Sequence, residues 1–332
     1  MEKELNPGKR GDVELVADDL DEALLLEMFR KAYTIRRFEQ RCVELYREGF
    51  IRGYFHPYLG EEGVAVGSIA AIGRDDYIVS THRGHGHCIC KGGDLKLMMA
   101  EIMGRETGYC NGRGGSMHIA NLDDHNLGAN GIVGGGIPIA TGAALGIKIK
   151  KGGEVVLGFF SDGAANNGVF GESLNLAAIF DLPVVFVLEN NHYAVSTPVE
   201  YSSRVTDLAR RADGYGMPGV TVDGNDAVAV YLETKKAVSR ARRGKGPTLI
   251  EAKTYRHGGH HVNDPGLYMD QAAMARWKSR DPVDLLRKRL NDDAKIREIE
   301  EEVESELAEA VEFAKKSPAP SVEEFLASIE DY

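Results

Sequence analysis

Apolar residues recur along the chain in two different spacings. From Leu20 to about Glu48 they recur at helical intervals, which predicts an amphipathic helix. Beyond that helix, short apolar and β-branched runs are bounded by Gly, Asp or Asn, as is typical of buried parallel strands. These runs are Tyr77–Ser80, Val155–Ser161, Pro183–Glu189, Gly219–Val222 and Thr248–Thr254. Helical patterns, for example Pro138–Lys150, lie between them.

The alternation of strands and helices predicts the fold class. It indicates an α/β protein with a doubly wound, mostly parallel sheet that binds ligands at the carboxyl ends of its strands. After Asp281-Pro282 the strand pattern stops and the chain becomes helical and charged. We therefore expect a loose N-terminal arm over residues 1–20, a ligand-binding α/β domain over residues 21–280 and a helical C-terminal extension over residues 281–332.

Charge and cysteine content narrow the range of partners. A net charge of −11 argues against a nucleic acid partner, because phosphate binding needs clustered cations. The four cysteines form no C-x-x-C pair, and the N-terminus lacks an apolar signal core. No uninterrupted apolar run is long enough to span a membrane. We expect a soluble, cytoplasmic protein that binds neither nucleic acid nor membrane.

Polar residues follow two successive predicted strands. Asp162-Gly163 ends one strand and Asn190-Asn191 ends the next, so Asp162 and Asn191 can approach each other at one rim of the sheet. A carboxylate and an amide oxygen suit Mg²⁺. The small residues 163–165 are expected to open a helix N-terminus, which favours a phosphate. The plainer interpretation is a turn at Asp-Gly and a strand stop at Asn-Asn.

The run from Asp162 to Tyr193 resembles the thiamine diphosphate motif in the α subunits of thiamine-dependent 2-oxoacid and acetoin dehydrogenases, which begins Gly-Asp-Gly and ends Asn-Asn. Ser161 replaces the first Gly. The resemblance covers nearly the whole chain and implies the diphosphate-binding domain of the thiamine diphosphate-binding fold. It further implies that Asp162, the Asn191 side chain and the Tyr193 carbonyl bind Mg²⁺, with Gly163 and Ala164 at the diphosphate.

Six of the ten histidines fall in two short stretches. They are His82, His85 and His87, followed by Cys88 and Cys90, and then His257, His260 and His261. A zinc site is one interpretation and ordinary hydrogen bonding is another. A third is a set of donors for an anionic ligand. By resemblance, His82 and Arg83 contact the diphosphate, which leaves zinc as a minor hypothesis.

The resemblance assigns further roles around the pocket. His260 aligns with a catalytic-loop histidine near the cofactor and the substrate or lipoyl group, and His56 with a histidine that faces the substrate. Gly131 and Val133 match backbone positions that hold the aminopyrimidine. A histidine such as His260, if its pKa lies near neutrality, can give or accept a proton without large tuning.

Two other segments carry expectations. Mammalian pyruvate members have regulatory serines where His261 and Asn263 stand here, so we expect no phosphorylation switch at these positions. The stretch Gly112–His118 is also similar to the family, and its glycines predict a flexible loop that becomes ordered on binding.

The chain has only one set of alternating strands and helices. Thiamine chemistry needs a carboxylate to activate the aminopyrimidine, and in the family this Glu lies on a second domain of the same kind. The resemblance therefore implies a β subunit, in an α2β2 heterotetramer, with the cofactor bound between chains. It also implies transfer of an acyl unit to the lipoyl group of an acyltransferase component. A transketolase-like enzyme would need both domains in one longer chain.

The substrate is the least determined feature. Thr81–Ile89 and Met98–Ala120 are more similar to acetoin dehydrogenase α subunits than to those specific for pyruvate or branched-chain 2-oxoacids. We expect acetoin as the small carbonyl substrate, with pyruvate second and a branched-chain 2-oxoacid third, since apolar pockets discriminate modestly. A non-catalytic scaffold is a further alternative. The joint presence of Asp162, Asn191, Arg83 and His260 argues against it.

Overall fold

The computed structural model describes residues 20–330. Its strands are β1 (Tyr77–Val79), β2 (Val156–Ser161), β3 (Val184–Asn190), β4 (Tyr193–Ala194), β5 (Thr197–Pro198), β6 (Gly219–Asp223) and β7 (Thr248–Lys253). β1, β2, β3, β7 and β6 pair in that order into one parallel sheet, and β4 and β5 form an antiparallel hairpin. The five predicted strands are those of the sheet, whereas the hairpin was not predicted.

Helices precede, connect and follow the strands. They are α1 (Glu22–Arg47), α2 (Glu62–Ala70), α3 (His85–Cys90), α4 (Leu95–Ile102), α5 (Gly136–Lys150), α6 (Gly168–Ile179), α7 (Val199–Ser202), α8 (Ala227–Arg242), α9 (Gln271–Lys278), α10 (Pro282–Arg289), α11 (Asp293–Lys316) and α12 (Val322–Glu330). Among these described helices, none is both long and apolar enough to cross a bilayer.

Both faces of the sheet are covered by helices, which confirms the doubly wound α/β fold. In β2, Val156 and Phe160 join the core formed with α5 and α6, whereas Leu157 and Phe159 join the core formed with α2 and α8. This two-sided burial explains why the strands are continuous apolar runs without polar alternation. Since all five strands are parallel, their carboxyl ends lie at one rim.

The first and last long helices form an additional layer beside the sheet. Phe29 and Phe38 of α1 share a core with Val303 and Leu307 of α11, so the C-terminal helices pack on the N-terminal one. Acidic residues of α11 also form ion pairs with arginines of α1, for example Arg30 with Glu306 at 2.6 Å. The boundary at residues 280 and 281 stays a prediction, and the arm expected over residues 1–20 lies outside the described residues except for Leu20.

A glycine allows the close approach of α2 and α8. A Cβ atom at Gly67 would lie 2.3 Å from the Ala227 carbonyl oxygen and 2.7 Å from Val230 Cβ. We expect Gly67→Ala to lower the free energy of unfolding by about 1–3 kcal/mol, because the helices must separate. Denaturant unfolding measures this loss. Gly153→Ala, where a Cβ atom meets open space, is the control and should change by under about 0.5 kcal/mol; equal losses in both variants would contradict the expectation.

Candidate functional site

The predicted metal-binding residues follow two adjacent strands. β2 and β3 pair in parallel with Ser161 opposite Glu189, so Asp162 and Asn191 both leave the sheet at its carboxyl rim. A cavity of about 260 Å³ opens at this rim. It is lined by His56, Glu61, Thr81, His82, Arg83, Met117, Gly131, Val133, Ser161, Gly163, Glu189, Asn191, Tyr193, Ala194, Val195, Arg256 and His260.

Most residues assigned from the sequence meet in this cavity, and two do not line it. Asp162 lies between the lining residues Ser161 and Gly163, and only 1% of its surface is exposed. Ala164 is buried beside it and borders a smaller adjoining cavity. The ends of this segment therefore lie at the rim of the sheet, with Asp162 set deeper than its neighbours.

The Asp162 carboxylate is buried and poorly hydrogen-bonded. Neither of its side-chain oxygens has a hydrogen bond of normal geometry, although the N–H groups of Asp162 and Gly163 lie near enough to act against the rise in its pKa. Burial raises its pKa to about 6, although the nearby Arg256 charge acts in the opposite direction. An unpaired buried carboxylate is costly unless a ligand compensates it. This position consequently suits a bound cation.

Asn191 and Tyr193 lie just beyond the end of β3, the strand that pairs with β2. Asn191 Nδ2 donates to both Glu61 carboxylate oxygens at 3.3 Å, and its Oδ1 accepts a long bond of 3.4 Å from Tyr193 N–H. The Tyr193 carbonyl accepts from Arg256 Nη1 at 3.1 Å. Because a carbonyl oxygen has two lone pairs, this bond leaves it one for a metal. The donor set of Asp162, Asn191 and Tyr193 thus fits a hard cation such as Mg²⁺.

Arg83 holds two loops together beneath the cavity. Its Nη1 donates to the Pro57 carbonyl at 2.7 Å and its Nη2 to the His260 carbonyl at 2.8 Å, while Nε lies 3.5 Å from Glu61. A guanidinium has five N–H donors, so some remain for a ligand. Arg83 is therefore a support for the pocket as well as a candidate phosphate contact.

Arg256 was missed in the sequence analysis. It is 2% exposed, and its Nη2 donates to the Val195 carbonyl at 3.0 Å and to the Tyr268 hydroxyl at 3.2 Å. Its position three residues beyond β7 was the available signal, since that loop follows a buried strand at the ligand-binding rim. Together with Arg83, it places two guanidinium groups in the wall of the cavity.

Three histidine rings meet at one side of the cavity. The His56 ring lies 4.8 Å from those of His82 and His260, measured between centroids. Burial and the Arg83 charge lower the pKa of His56 to about 2 and those of His82 and His260 to about 3. The condition of a near-neutral pKa, under which His260 could give or accept a proton without large tuning, is therefore not met by these surroundings alone. An anionic ligand on the arginines would offset part of this shift.

The neutral His260 has a defined tautomer. Its Nδ1 lies 3.3 Å from Arg256 Nη1, which can only donate, so Nδ1 accepts and the proton belongs on Nε2. The Nε2–H group is then available as a hydrogen-bond donor. This arrangement suits orientation of a substrate oxygen better than removal of a proton.

Zinc binding has little support from the geometry. Ligand nitrogens of His56, His82 and His260 lie within 4.8 Å of one another, but the adjacent Arg83 charge opposes a cation there. Cys88 and Cys90 belong to α3, and between residues 20 and 330 no cluster of metal-ligand spacing includes either thiol. The zinc hypothesis that relied on these cysteines is not supported.

His85 and His87 differ from His82, although all three belong to one sequence stretch. Because α3 begins at His85, both rings turn into the protein interior. His85 Nδ1 lies 2.8 Å from Glu39 and its Nε2 lies 2.9 Å from Ser116 Oγ. His87 bonds to Ser80 Oγ and to Glu189, at 2.8 and 3.1 Å. From this stretch only His82 and its neighbours Thr81 and Arg83 line the cavity.

Two carboxylates in the cavity wall were not predicted. Burial raises the pKa of Glu61 to about 7, with Arg83 opposing the shift and Glu189 adding to it. Glu189 accepts from the Tyr58 hydroxyl and contacts His87. Glu61 lies just before α2, and Glu62 is the first residue of that helix. The local sequence pattern does not distinguish the two glutamates, so it could not single out Glu61.

Two expectations about loops need correction. Residues 163–165 open only a short 3₁₀ helix (Ala164–Asn166), with Gly163 at its N-cap, and not the α-helix α6, which begins at Gly168 and is capped by Asn167. The segment Gly112–His118 was expected to be a flexible loop. It is instead anchored by hydrogen bonds that include Ser116 Oγ, and Met117 reaches the cavity.

The buried Asp162 charge should reduce stability at neutral pH. Its folded-state pKa of about 6 exceeds the ordinary 3.8, so the penalty is present above about pH 6 and disappears as the pH falls to 3.8. We expect Asp162→Asn to raise the free energy of unfolding of the cofactor-free protein by about 1–3 kcal/mol at about pH 8, and by progressively less toward about pH 5. Denaturant unfolding across this range is the measurement.

Asp264 provides a control of opposite sign. Burial alone would raise its pKa, but bonds from the His260 and Gly266 N–H groups and the Tyr268 hydroxyl hold it at about 2. Asp264→Asn should therefore lose stability at neutral pH, a loss that fades only as the pH falls below 3.8 and through about 2. For Asp162, the contradicting outcome is a free energy of unfolding at about pH 8 that is lower in Asp162→Asn than in the wild type. That result would refute the argument that burial of the charged carboxylate destabilises the protein.

Comparison with known proteins agrees with this geometry. The dehydrogenase E1 component family matches residues 30–323. The α subunit of acetoin:2,6-dichlorophenolindophenol oxidoreductase from Bacillus subtilis (strain 168) is 48% identical over 314 residues, covering 93% of this chain and 94% of that protein. Its counterpart from Cupriavidus necator is 44% identical over 326 residues, covering 96% and 98%.

A pyruvate-specific relative is somewhat less similar. The pyruvate dehydrogenase E1 component α subunit of Zymomonas mobilis is 40% identical over 316 residues, covering 93% of this chain and 89% of that protein. Matches of this extent to both groups agree with the parallel sheet and the cavity at its rim. The chain therefore belongs to the dehydrogenase E1 component family.

Proposed function

We propose that this chain is the α subunit of a thiamine-diphosphate-dependent dehydrogenase component that cleaves acetoin and passes the acetyl unit to a lipoyl group of a multienzyme complex. The observation that carries the proposal is the buried, poorly hydrogen-bonded Asp162 carboxylate beside the cationic Arg83 and Arg256. A cation would compensate the buried carboxylate and an anion would compensate the guanidinium groups. Mg²⁺ bound to a diphosphate supplies both together.

Each part of the cofactor has matching groups on the chain. Asp162, the Asn191 side-chain oxygen and the Tyr193 carbonyl would hold Mg²⁺. Arg256, His82 and Arg83, with the backbone at Gly163 and Ala164, would bind the diphosphate. The backbone at Gly131 and Val133 would hold the aminopyrimidine. Gly163 itself is closely packed, since a Cβ atom there would lie 2.7 Å from Ala194 Cβ.

The chain's side chains then orient the substrate. Thiamine diphosphate would supply a nucleophilic carbon for addition to a carbonyl and a cationic ring as the electron sink for cleavage of the neighbouring bond. His260 presents its Nε2–H to a substrate oxygen, because Arg256 holds Nδ1. His56 packs against both His260 and His82 and limits the rotation of their rings. The loops that carry these groups exclude water from one side of the cavity.

A second subunit would complete the site. The cavity of about 260 Å³ is small for an entire cofactor, and apolar side chains stand exposed at its edge, including Val133 and Val195. Exposed apolar patches of this kind mark protein–protein contacts. Residues 20–330 contain no second parallel sheet that could supply the activating carboxylate. We therefore propose a β subunit, in an α2β2 heterotetramer, and a lipoyl-bearing acyltransferase as further partner.

Substrate and location rest on more indirect support. Acetoin is favoured because the acetoin-specific relatives are 48% and 44% identical, against 40% for the pyruvate-specific one. Pyruvate is the second candidate. The four cysteines all carry free thiols, which is usual in a reducing compartment, and we propose a cytoplasmic location.

Steady-state kinetics of the αβ complex test the proposal. With Mg²⁺, thiamine diphosphate and 2,6-dichlorophenolindophenol as electron acceptor, we expect kcat/KM for acetoin to exceed that for pyruvate or 2-oxoisovalerate at least tenfold or so. The α chain alone should not turn over, because the activating carboxylate is missing. Preference for an oxoacid would overturn the choice of acetoin, and steady turnover by pure α chain would overturn the shared site.

Two variants separate cofactor binding from chemistry. Asp162→Asn should abolish Mg²⁺-dependent binding of thiamine diphosphate to the αβ complex, because the only charged metal ligand is lost. His260→Ala should keep the dissociation constant within a few-fold yet reduce kcat by about 10²–10⁴. Titration calorimetry and kinetics together provide the measurement. Unchanged cofactor affinity in Asp162→Asn would count against the metal site.

A further inference from the structure

Glu101 has no role in the proposed chemistry, yet its carboxylate is one of the most heavily hydrogen-bonded groups in the protein. It lies near the end of α4 and is completely buried. Oε1 accepts the N–H groups of Gly114 and Gly115, and Oε2 accepts those of Cys110 and Gly112, each at 2.8 Å. These four donors belong to one stretch, residues 108–118, which we call the glycine-rich segment.

The glycine-rich segment is shaped to enclose this carboxylate. A Cβ atom at Gly108 would lie 2.5 Å from both the Glu101 backbone and Oε2, so no side chain fits there. Gly112 and Gly115 have φ angles of 69° and 64°, which favour glycine. Both positive angles occur where an N–H group turns toward Glu101. The glycines therefore serve one purpose, which is to bring several N–H groups onto a single anion.

The far end of the glycine-rich segment forms part of the cofactor pocket. Met117 lines the cavity, and the His118 ring stands 3.1 Å from where a Cβ atom of Gly131 would be. The Ile119 carbonyl accepts the Ala129 N–H at 2.9 Å. Gly131 and Val133 are the backbone positions assigned to the aminopyrimidine. If the glycine-rich segment were displaced, the residues that pack against the Gly131–Val133 backbone would move with it.

A second buried pair fixes the middle of the segment. Ser116 Oγ lies 2.9 Å from His85 Nε2, and His85 Nδ1 lies 2.8 Å from Glu39. This contact alone holds only one point. The Glu101 carboxylate holds the preceding residues 110–115, of which Arg113 also contacts Phe325 and Ser328 of α12.

We propose that Glu101 is a positioning residue that holds the glycine-rich segment in the conformation needed for thiamine diphosphate to bind. This inference rests on the proposed function, because it takes the neighbouring cavity as the cofactor site. A carboxylate can accept all four bonds, whereas an amide can accept on only one of its two heavy atoms. In Glu101→Gln, the amide NH₂ would face two N–H donors, and the segment should open.

The expected effect is on cofactor affinity and not on the chemical step. If the segment is in place in only a fraction of molecules, apparent affinity falls by that fraction. Loss of hydrogen bonds to a charged acceptor predicts a rise of at least about tenfold in the KM for thiamine diphosphate. At saturating cofactor, binding restores the segment and kcat should stay within about threefold.

Asp76 offers a matched control. It is also buried, and it accepts the Val155 and Gly73 N–H groups, each at 2.7 Å. It lies at the amino ends of β1 and β2, the edge of the sheet opposite the cavity. Asp76→Asn should lower thermal stability, as Glu101→Gln does, but leave the KM for the cofactor unchanged.

The experiment uses the full chain assembled with its β subunit, for the wild type and both variants. Hydrogen exchange without cofactor should accelerate in Glu101→Gln within residues 108–118 and 128–134, and in Asp76→Asn only near residues 73–76 and 155. The KM for thiamine diphosphate and kcat are then measured on the same samples. Faster exchange at the pocket with a raised KM and retained kcat would support the proposal.

Other results would overturn it in distinguishable ways. If the wild-type complex binds the cofactor and Glu101→Gln binds it equally well, the positioning role is wrong while the proposed function stands. A lower kcat with unchanged KM, or exchange that accelerates equally across the chain, would also refute the positioning role. If the wild-type complex has no affinity for thiamine diphosphate, the proposed function fails and this inference fails with it.

Discussion

Arg83 and Arg256 are both buried in the wall of the cavity, and most of its architecture depends on how their N–H groups are satisfied. Burial of a guanidinium has a large desolvation cost that only well-placed acceptors offset. Arg83 finds acceptors in the carbonyls of Pro57 and His260, and Arg256 finds them in the β4–β5 hairpin. These acceptors come from segments far apart in sequence. The hydrogen bonds of the two arginines therefore hold separate loops together at one cavity.

The same two charges act, together with burial, on the pKa of their neighbours. Burial lowers the pKa of His260 most and both charges lower it further, whereas both oppose the rise that burial causes in Glu61 and Arg256 opposes the rise in Asp162. The result is a wall with neutral imidazoles, fixed positive charge and an uncompensated carboxylate. Such a wall is unfavourable in the empty protein, and binding of a ligand that carries both a metal ion and an anion would recover that free energy. Unpaired polar groups are expected at sites where function competes with stability.

The fold and part of the site could be predicted because their signals are local. Apolar runs mark strands that are buried on both faces, and parallel pairing brings all strand ends to one rim. The position of Asp162 and Asn191 near one rim could be predicted for that reason. Arg256 and Glu61 carry no comparable pattern, since an arginine in a loop and a glutamate before a helix are both commonplace. His85 and His87 were grouped with His82 by sequence, but the turn of α3 separates them from it.

The sequence by itself determined the order of elements, the parallel sheet and the placement of Asp162 and Asn191 just after β2 and β3, at the carboxyl rim of the sheet. These follow from periodicity and strand ends, which are short-range properties of the chain. Only the tertiary structure decided that Arg256 faces the cavity, that its charge and that of Arg83 help to lower the pKa of His260, and that the Arg83 guanidinium bonds to the His260 carbonyl. Burial, charge and hydrogen-bond partners depend on residues that are remote in sequence, and no local pattern records them.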